Sequence, residues 1–231
     1  MISEVYNCDC MEYMKSLPDR FFELAIVDPP YGIGAEIGTN AQTKKKFKNR
    51  KCDKWDSDIP GQGYFNELTR VSKRQIIWGA DYFLERNLDI KSWLIWDKGL
   101  RFLCFGDCEM ASVSSGFDGR RNQKRIFTYN PTTHGNRLNK IHPTQKPIAL
   151  YKWLLENYAK KGYKIFDSHM GSQSSRIAAY DLGFDFYGCE LDKDYFQQGC
   201  ERFENHKLKR EEIKQFGYAK TELSKINQTL F

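Results

Sequence analysis

Apolar residues along the chain fall into short runs and into helical spacings, and the two alternate. Val5-Tyr6-Asn7 predicts a short strand, and Met11, Met14 and Leu17 then recur at helical spacing behind Asp9, a helix N-cap residue. Leu24-Ala25-Ile26-Val27 is a continuous apolar run of the kind that forms a buried strand. Phe65, Leu68 and Val71 mark one face of a helix over 64–71, followed by strands at Gln75-Ile76-Ile77-Trp78 and Trp93-Leu94-Ile95-Trp96. Glu109 to Ser114 predicts one more strand. Leu150, Leu154 and Leu155 give an amphipathic helix from Ile148 to Tyr158, with Pro147 at its first position. Strands at 164–167 and 184–189 enclose a helix from Arg176 to Leu182, and Asp192 caps a last helix reaching Lys207. Strands alternating with helices predict an α/β fold with a mainly parallel sheet and helices on both faces.

Two intervals lack this periodicity. Beyond Gly32 and Gly34 the chain carries seven basic residues between Lys44 and Lys54, which predicts a long mobile loop over 33–61. From Asp118 to Lys140 it is again basic, and an insert is expected over 99–141. Residues 1–208 are therefore expected to form one domain, with 209–231 a peripheral tail, either helical or disordered. A chain of 231 residues can bury the core of one such domain. No run approaches the ~20 apolar residues of a membrane span, and Met1 to Val5 does not read as a signal peptide. The seven cysteines, odd in number and without paired CxxC spacing, predict reduced thiols, a cytoplasmic location and no metal site. The net charge of +6 allows an anionic partner, and its clustering in the two aperiodic intervals points to phosphate.

The candidate chemistry centres on Asp28-Pro29-Pro30-Tyr31. Two prolines cannot extend a ladder, so the backbone must leave the sheet there in a stiff turn. Ligands of open α/β sheets bind at the carboxyl ends of strands. The Asp28 carboxylate and the Pro29 carbonyl could hold an NH2 group, with Tyr31 stacked on the ring that bears it. An Asp closing a strand before a Pro-rich turn accounts structurally for the same four residues. Further on, a strand ending at Asp167, a loop with Gly171, a helix, and a strand ending at Glu190 form a nucleotide-binding half-unit. The 19 residues from Gly171 to Glu190 approach the ~20 that place an acid on ribose hydroxyls.

These stretches resemble the β-type DNA amino-methyltransferases, which methylate an exocyclic base nitrogen with S-adenosylmethionine. The resemblance covers about residues 5–200. It rests on Asn7-Cys8-Asp9-Cys10, Asp28-Pro29-Pro30-Tyr31, Ile77-Trp78-Gly79-Ala80-Asp81-Tyr82-Phe83, Trp96-Asp97-Lys98, His142-Pro143-Thr144-Gln145-Lys146-Pro147 and the loop after Asp167, in the family's order. It implies a Rossmann-like fold with a seven-stranded, mainly parallel sheet and one reversed edge strand. It implies catalysis by Asp28, Pro29, Pro30 and Tyr31. It places S-adenosylmethionine among Asp9, Cys10, Asp28, Lys146, Asp167, His169, Gly171, Ser172, Gln173, Ser174, Glu190 and Leu191, with Lys146 near the cofactor carboxylate. The family pattern Asp-Pro-Phe-x-Gly-Ser-Gly-Thr is kept at Asp167, Gly171 and Ser172, and replaced by Ser168, His169, Gln173 and Ser174. Gln173 in place of glycine is expected to weaken, not abolish, cofactor binding.

The DPPY form favours adenine N6 in DNA as acceptor, reached by flipping the base out of the duplex. Cytosine N4, RNA, or a binding module that has lost catalysis remain the alternatives. The insert over 99–141 corresponds to the target-recognition region. It is short, so a homodimer would extend the footprint, and a partner restriction nuclease fits the family. Candidate DNA contacts are Lys44, Lys45, Lys46, Lys48 and Arg50 in the first interval, and Arg120, Arg121, Lys124, Arg125, Arg137 and Lys140 in the second. Neutralising Lys44, Lys45, Lys46 and Lys48 together should lower DNA affinity and flatten its salt dependence. Each lost phosphate contact removes roughly 0.7–0.9 from the log–log slope. A slope unchanged in a salt titration would make the run merely solvating.

Overall fold

The computed structural model describes residues 1–34, 56–101, 106–117, 125–131 and 140–229. Its centre is an eight-stranded sheet. In chain order the strands are β1 (Ser3–Tyr6), β2 (Leu24–Val27), β3 (Gln75–Trp78), β4 (Ser92–Asp97), β5 (Cys108–Val113), β6 (Arg125–Thr128), β7 (Lys164–Asp167) and β8 (Asp185–Cys189). Their spatial order is β1-β8-β7-β2-β3-β5-β4-β6. β5 is antiparallel to both neighbours and every other pairing is parallel.

Alternation along the central strands divides the core in two. Leu24 and Ile26 face one side with Ile76 and Trp78, where α3 (Ile148–Tyr158) and α4 (Ser174–Leu182) supply Leu150, Leu154, Ala178 and Ala179. Ala25 and Val27 face the other, where α1 (Cys10–Lys15) and α2 (Gln62–Val71) supply Met14, Phe65, Leu68 and Val71. Strands covered on both faces by helices are the condition under which parallel sheets are stable, and it explains why β2 is apolar at all four positions. Phe22 and Phe166 stack within the second layer at 4.5 Å and 3°.

The connections decide where a ligand can sit. From β2 the chain crosses through α2 to β3 on one side; from β7 it crosses through α4 to β8 on the other. The two crossovers lie on opposite faces, so the crevice between the carboxyl ends of β2 and β7 is a topological switch point. Asp28 follows β2 there, and Asp167 ends β7.

Three expectations are corrected. The reversed strand is not at an edge: β5 pairs with β3 on one side and β4 on the other, and β6 pairs with β4 to become the outermost strand. That eighth strand, Arg125-Ile126-Phe127-Thr128, lies in the interval read as an aperiodic insert. Its alternation is too short to stand out beside the surrounding basic residues. Pro147 occupies the N-cap, one residue before the helix (φ −67°, ψ 143°), a position that also needs no intrahelical N–H. The last helix, α5 (Lys193–Thr229), continues through the tail, matching the helical one of the two readings of that region, and is carried by polar residues of good helix propensity. No described helix is long and apolar enough to cross a membrane.

Candidate active site

A cavity of about 610 Å³ opens at the switch point. Asp28 and Pro30 line one part of it and Lys146 lies beside them. Asp9, Cys10, Glu190 and Leu191 line another part, with His169, Gly171, Ser172 and Ser174 from the loop after β7. These residues come from widely separated stretches, and the strand order brings them together.

Asp28 is held by two partners. Its Oδ1 accepts the Tyr31 hydroxyl at 2.5 Å, and its Oδ2 accepts the Lys146 ammonium at 2.5 Å. Lys146 is 3% exposed and Asp28 15%. Burial pushes the Asp28 carboxyl up; Lys146 pulls it back, and Glu109 adds to the rise. Burial alone would lower the Lys146 pKa, but Asp28 and Glu109 together hold it above the ordinary range, so the ammonium keeps its proton. The Pro29-Pro30 step fixes the turn that carries Tyr31, and the Tyr31 and Gly32 amides both donate to Asp56 Oδ1, at 2.6 and 2.9 Å. The Tyr31 ring stacks on Tyr82 at 5.1 Å and 10°. Gly79, at φ +67°, sits so close to that ring that a Cβ would lie 2.1 Å from it, so only glycine fits. In the unliganded chain Tyr31 is thus packed between protein neighbours, and it does not line the cavity.

At the other end, Glu190 Oε2 accepts the Gly171 amide at 2.7 Å and Oε1 accepts the Asp192 amide at 2.9 Å. Burial nevertheless raises its pKa to about 7, against the lowering effect of those amides. Asp9 caps α1 by accepting from the Met11 amide at 2.7 Å, and it also lines the cavity. Tyr64 and Ser168 hydroxyls are 2.7 Å apart, and Ser168 Oγ lies 2.8 Å from His169 Nδ1. Burial lowers the His169 pKa to about 4, leaving the ring neutral near pH 7.

The geometry shows which protein partners several of the expected site residues have. Lys146 is spent on Asp28 and Glu109, so its anionic partners are protein carboxylates. Asp167 does not line the cavity. It is 1% exposed, accepts the Ser175 hydroxyl at 2.6 Å and the His169 amide at 3.1 Å, and so shapes the loop from behind. Gln173 also points away. It has φ +57°, its Oε1 accepts from Arg176 at 2.9 Å, and its Nε2 donates to the Phe196 carbonyl at 3.3 Å. Its side chain fills the space above Gly199, where a Cβ would come within 2.7 Å of it. Arg125 is engaged by Asn157 and lies 6.0 Å from the Tyr158 ring centroid, which ties β6 to α3. Lys140 borders a small cleft with Gln145 and Pro147. Lys44, Lys45, Lys46, Lys48, Arg50, Arg120, Arg121, Lys124 and Arg137 lie outside the described residues. Sequence reasoning missed Tyr64, which lines the cavity, and Glu109, which lies 3.0 Å from Lys146. Glu109 carried one usable signal, an acid opening an apolar strand.

Comparison with known proteins gives this architecture its context. A family model described as DNA methylase matches residues 95–201. The chain is 22% identical to the type II methyltransferase M.HpaI of Haemophilus parainfluenzae, over 85% of this chain and 73% of that protein. It is 20% identical to the type II methyltransferase M1.MboII of Moraxella bovis, over 85% of this chain and 95% of that one. The M1.HpyAVI–SAM complex superposes with a TM-score of 0.57 at 23% identity, covering 87% of this chain and 98% of its own. The cytosine-N4-specific PvuII DNA methyltransferase also superposes at 0.57, with 12% identity, covering 86% of this chain and 85% of its own. The fold is that of the methyltransferases.

Two expectations test the loop and its charges. Gln173→Gly should relieve a backbone strain of about 1–3 kcal/mol but lose buried hydrogen bonds and leave a void over Gly199. The net result should be a less stable protein in denaturant titration, with cofactor affinity changed little, since the side chain does not reach the cavity. Burial also raises the Asp167 carboxyl to about 7. With Asp167 and Glu190 both above their unfolded values near 4, the folded chain retains protons that the unfolded chain has released. Stability should therefore fall as pH rises from about 4.5 to 7, by at most about 1.4 kcal/mol per pH unit for each group. His169, depressed to about 4, offsets one of the two up to its unfolded value near 6.5. Asp167→Asn should flatten the fall in denaturation midpoints between pH 5 and 7.5.

Proposed function

We infer that this chain, a relative of the DNA amino-methyltransferases, transfers a methyl group from S-adenosylmethionine to an exocyclic base nitrogen in DNA, with adenine N6 as the acceptor. The observation carrying this reading is the buried Asp28 carboxylate at the strand end, facing the cavity that Asp9 and Glu190 also line.

The donor set suits the cofactor. A sulfonium is a cation, and the cavity is lined by the carboxylates of Asp9, Asp28 and Glu190. Each Glu190 oxygen that takes one amide keeps a lone pair for a hydroxyl, as a ribose contact would require. Gly171, Ser172 and Ser174 would border the same ligand, Leu191 would pack on it, and Asp9 would meet its base. When bound, S-adenosylmethionine supplies an electrophilic methyl group.

The rest is the work of this chain's own side chains. A flipped base must present its NH2 to Asp28. The Tyr31 hydroxyl is a neutral donor and Lys146 a charged one, so the amine displaces Tyr31 from Oδ1 at the smaller cost. The Pro29 carbonyl takes the second N–H. Holding both hydrogens turns the nitrogen lone pair toward the methyl and stabilises the positive charge that develops on it. After transfer the nitrogen carries one proton too many. Asp28, its pKa raised by burial, receives that proton and passes it to solvent.

The Asp-led motif favours adenine through the resemblance in sequence. The likeness to the PvuII enzyme keeps cytosine N4 as the competing acceptor. Incubating the protein with labelled cofactor and plasmid DNA, then separating nucleosides by mass spectrometry, should yield N6-methyladenine. N4-methylcytosine as sole product would overturn the acceptor, and no labelled nucleoside would overturn the reaction. Asp28→Asn should lower the rate by ~10²–10³ with cofactor binding retained, as expected for a group acting on the amine. Calorimetry beside the rate assay separates the two effects.

A further inference from the structure

Lys146 does not belong to Asp28 alone. Its Nζ also lies 3.0 Å from Glu109 Oε2, and the other oxygen of Glu109 lies 2.8 Å from Lys98 Nζ. Four charges therefore alternate in a row, Lys98, Glu109, Lys146, Asp28, drawn from β5, from the segments that follow β2 and β4, and from the turn before α3. Glu109 stands in the first half of the reversed strand, opposite Trp96 of β4. It is 26% exposed, against 3% for Lys146. Burial would raise its pKa, but Lys146 and Lys98 outweigh that and hold it down at about 2.

We propose that Glu109 is a positioning residue for methyl transfer: it shares the Lys146 ammonium with Asp28, and Lys98 fixes the Glu109 carboxylate in the orientation that does so. The proposal rests on the reading of Asp28 as the acceptor of the substrate amine. A lone Lys146–Asp28 pair would be a closed, neutral unit. Asp28 would then be a weak acceptor, and drawing it toward an amine would leave a buried ammonium with no counter-charge, which is costly. A second carboxylate on the same ammonium removes both obstacles. It leaves Asp28 with more of its charge, and it retains Lys146 while Asp28 engages the base. Lys98 offsets the charge that Glu109 brings, so the row stays balanced.

The titratable groups facing Asp28 are few enough to make the prediction specific. Among the described residues they are Lys146, Glu109, Tyr31, Tyr64 of α2, Tyr151 of α3 and Asp167 of β7. Removing the Glu109 charge takes away a neighbour that raises Asp28 and tightens the Lys146–Asp28 pair. Removing Lys98 has the reverse sign.

The test uses the full-length chain, first without ligands. The Asp28 side-chain carboxyl is titrated by carbon-13 NMR in wild type, Glu109→Gln and Lys98→Met. The midpoint should fall in Glu109→Gln and rise in Lys98→Met. General structural damage would not move the two in opposite directions. The transfer assay then follows. Glu109→Gln should lower kcat by about tenfold, below the ~10²–10³ expected for losing a direct contact. Its KM for DNA and for S-adenosylmethionine should hold, and the acid limb of its pH–rate profile should move to lower pH with the Asp28 midpoint. Unshifted midpoints in both variants, or an unchanged kcat in Glu109→Gln, would overturn the role of Glu109 while leaving Asp28 as the acceptor. Absence of transfer by the wild type, with the midpoints displaced as expected, would instead overturn the reading of the reaction.

Discussion

The buried ammonium of Lys146 is the interaction on which the site depends. It lies between two carboxylates at 2.5 and 3.0 Å, one following a central strand and one on the reversed strand. A charge buried this deeply is tolerated only when it is paired, and each carboxylate in turn needs the ammonium. This mutual requirement fixes the end of β2, the start of β5 and the segment before α3 relative to one another. It also sets the ionisation of the site: burial and Glu109 raise the Asp28 carboxyl above the ordinary carboxylate range, and Lys146 restrains the rise.

The second half of the cavity is built differently, from the loop after β7 and the residues that follow β8. Gln173 adopts a left-handed conformation that glycine would adopt freely, and the strain is offset by hydrogen bonds to Arg176 and the Phe196 carbonyl. The room for its side chain comes from Gly199 on the facing helix. Gln173 in the loop and Gly199 on α5 are thus a steric pair. Gln173 reaches α5 and not the cavity, and the loop meets the cavity through His169, Met170, Gly171, Ser172 and Ser174. Asp167 contributes in the same indirect way, holding Ser175 and the His169 amide from below. Ser168 and His169 add a neutral polar chain through Tyr64.

Much of this molecule was legible in its sequence. Apolar runs and helical spacings located β2, β3, β4, β5, β7 and β8 and the helices between them, because burial on both faces of a parallel sheet demands continuous apolar strands. The Asp28-Pro29-Pro30-Tyr31 turn, the acid at Glu190 and the Asp9 cap were readable for a local reason: each is set by a proline, a strand end or a helix start within a few residues. What the tertiary structure alone decided are relations between distant residues. No spacing in the chain says that Lys146 meets Asp28, 118 residues away, or that Glu109 completes the pair. Nor does it say that Gln173 turns toward Gly199, or that Asp167 stands behind its loop. The strand order places β5 inside the sheet and β6 at its edge, and pairing energy between strands far apart in sequence leaves no periodic trace in either one. Local preference wrote the elements and the turns; the charges that act together were chosen by which strand ends the sheet brought side by side.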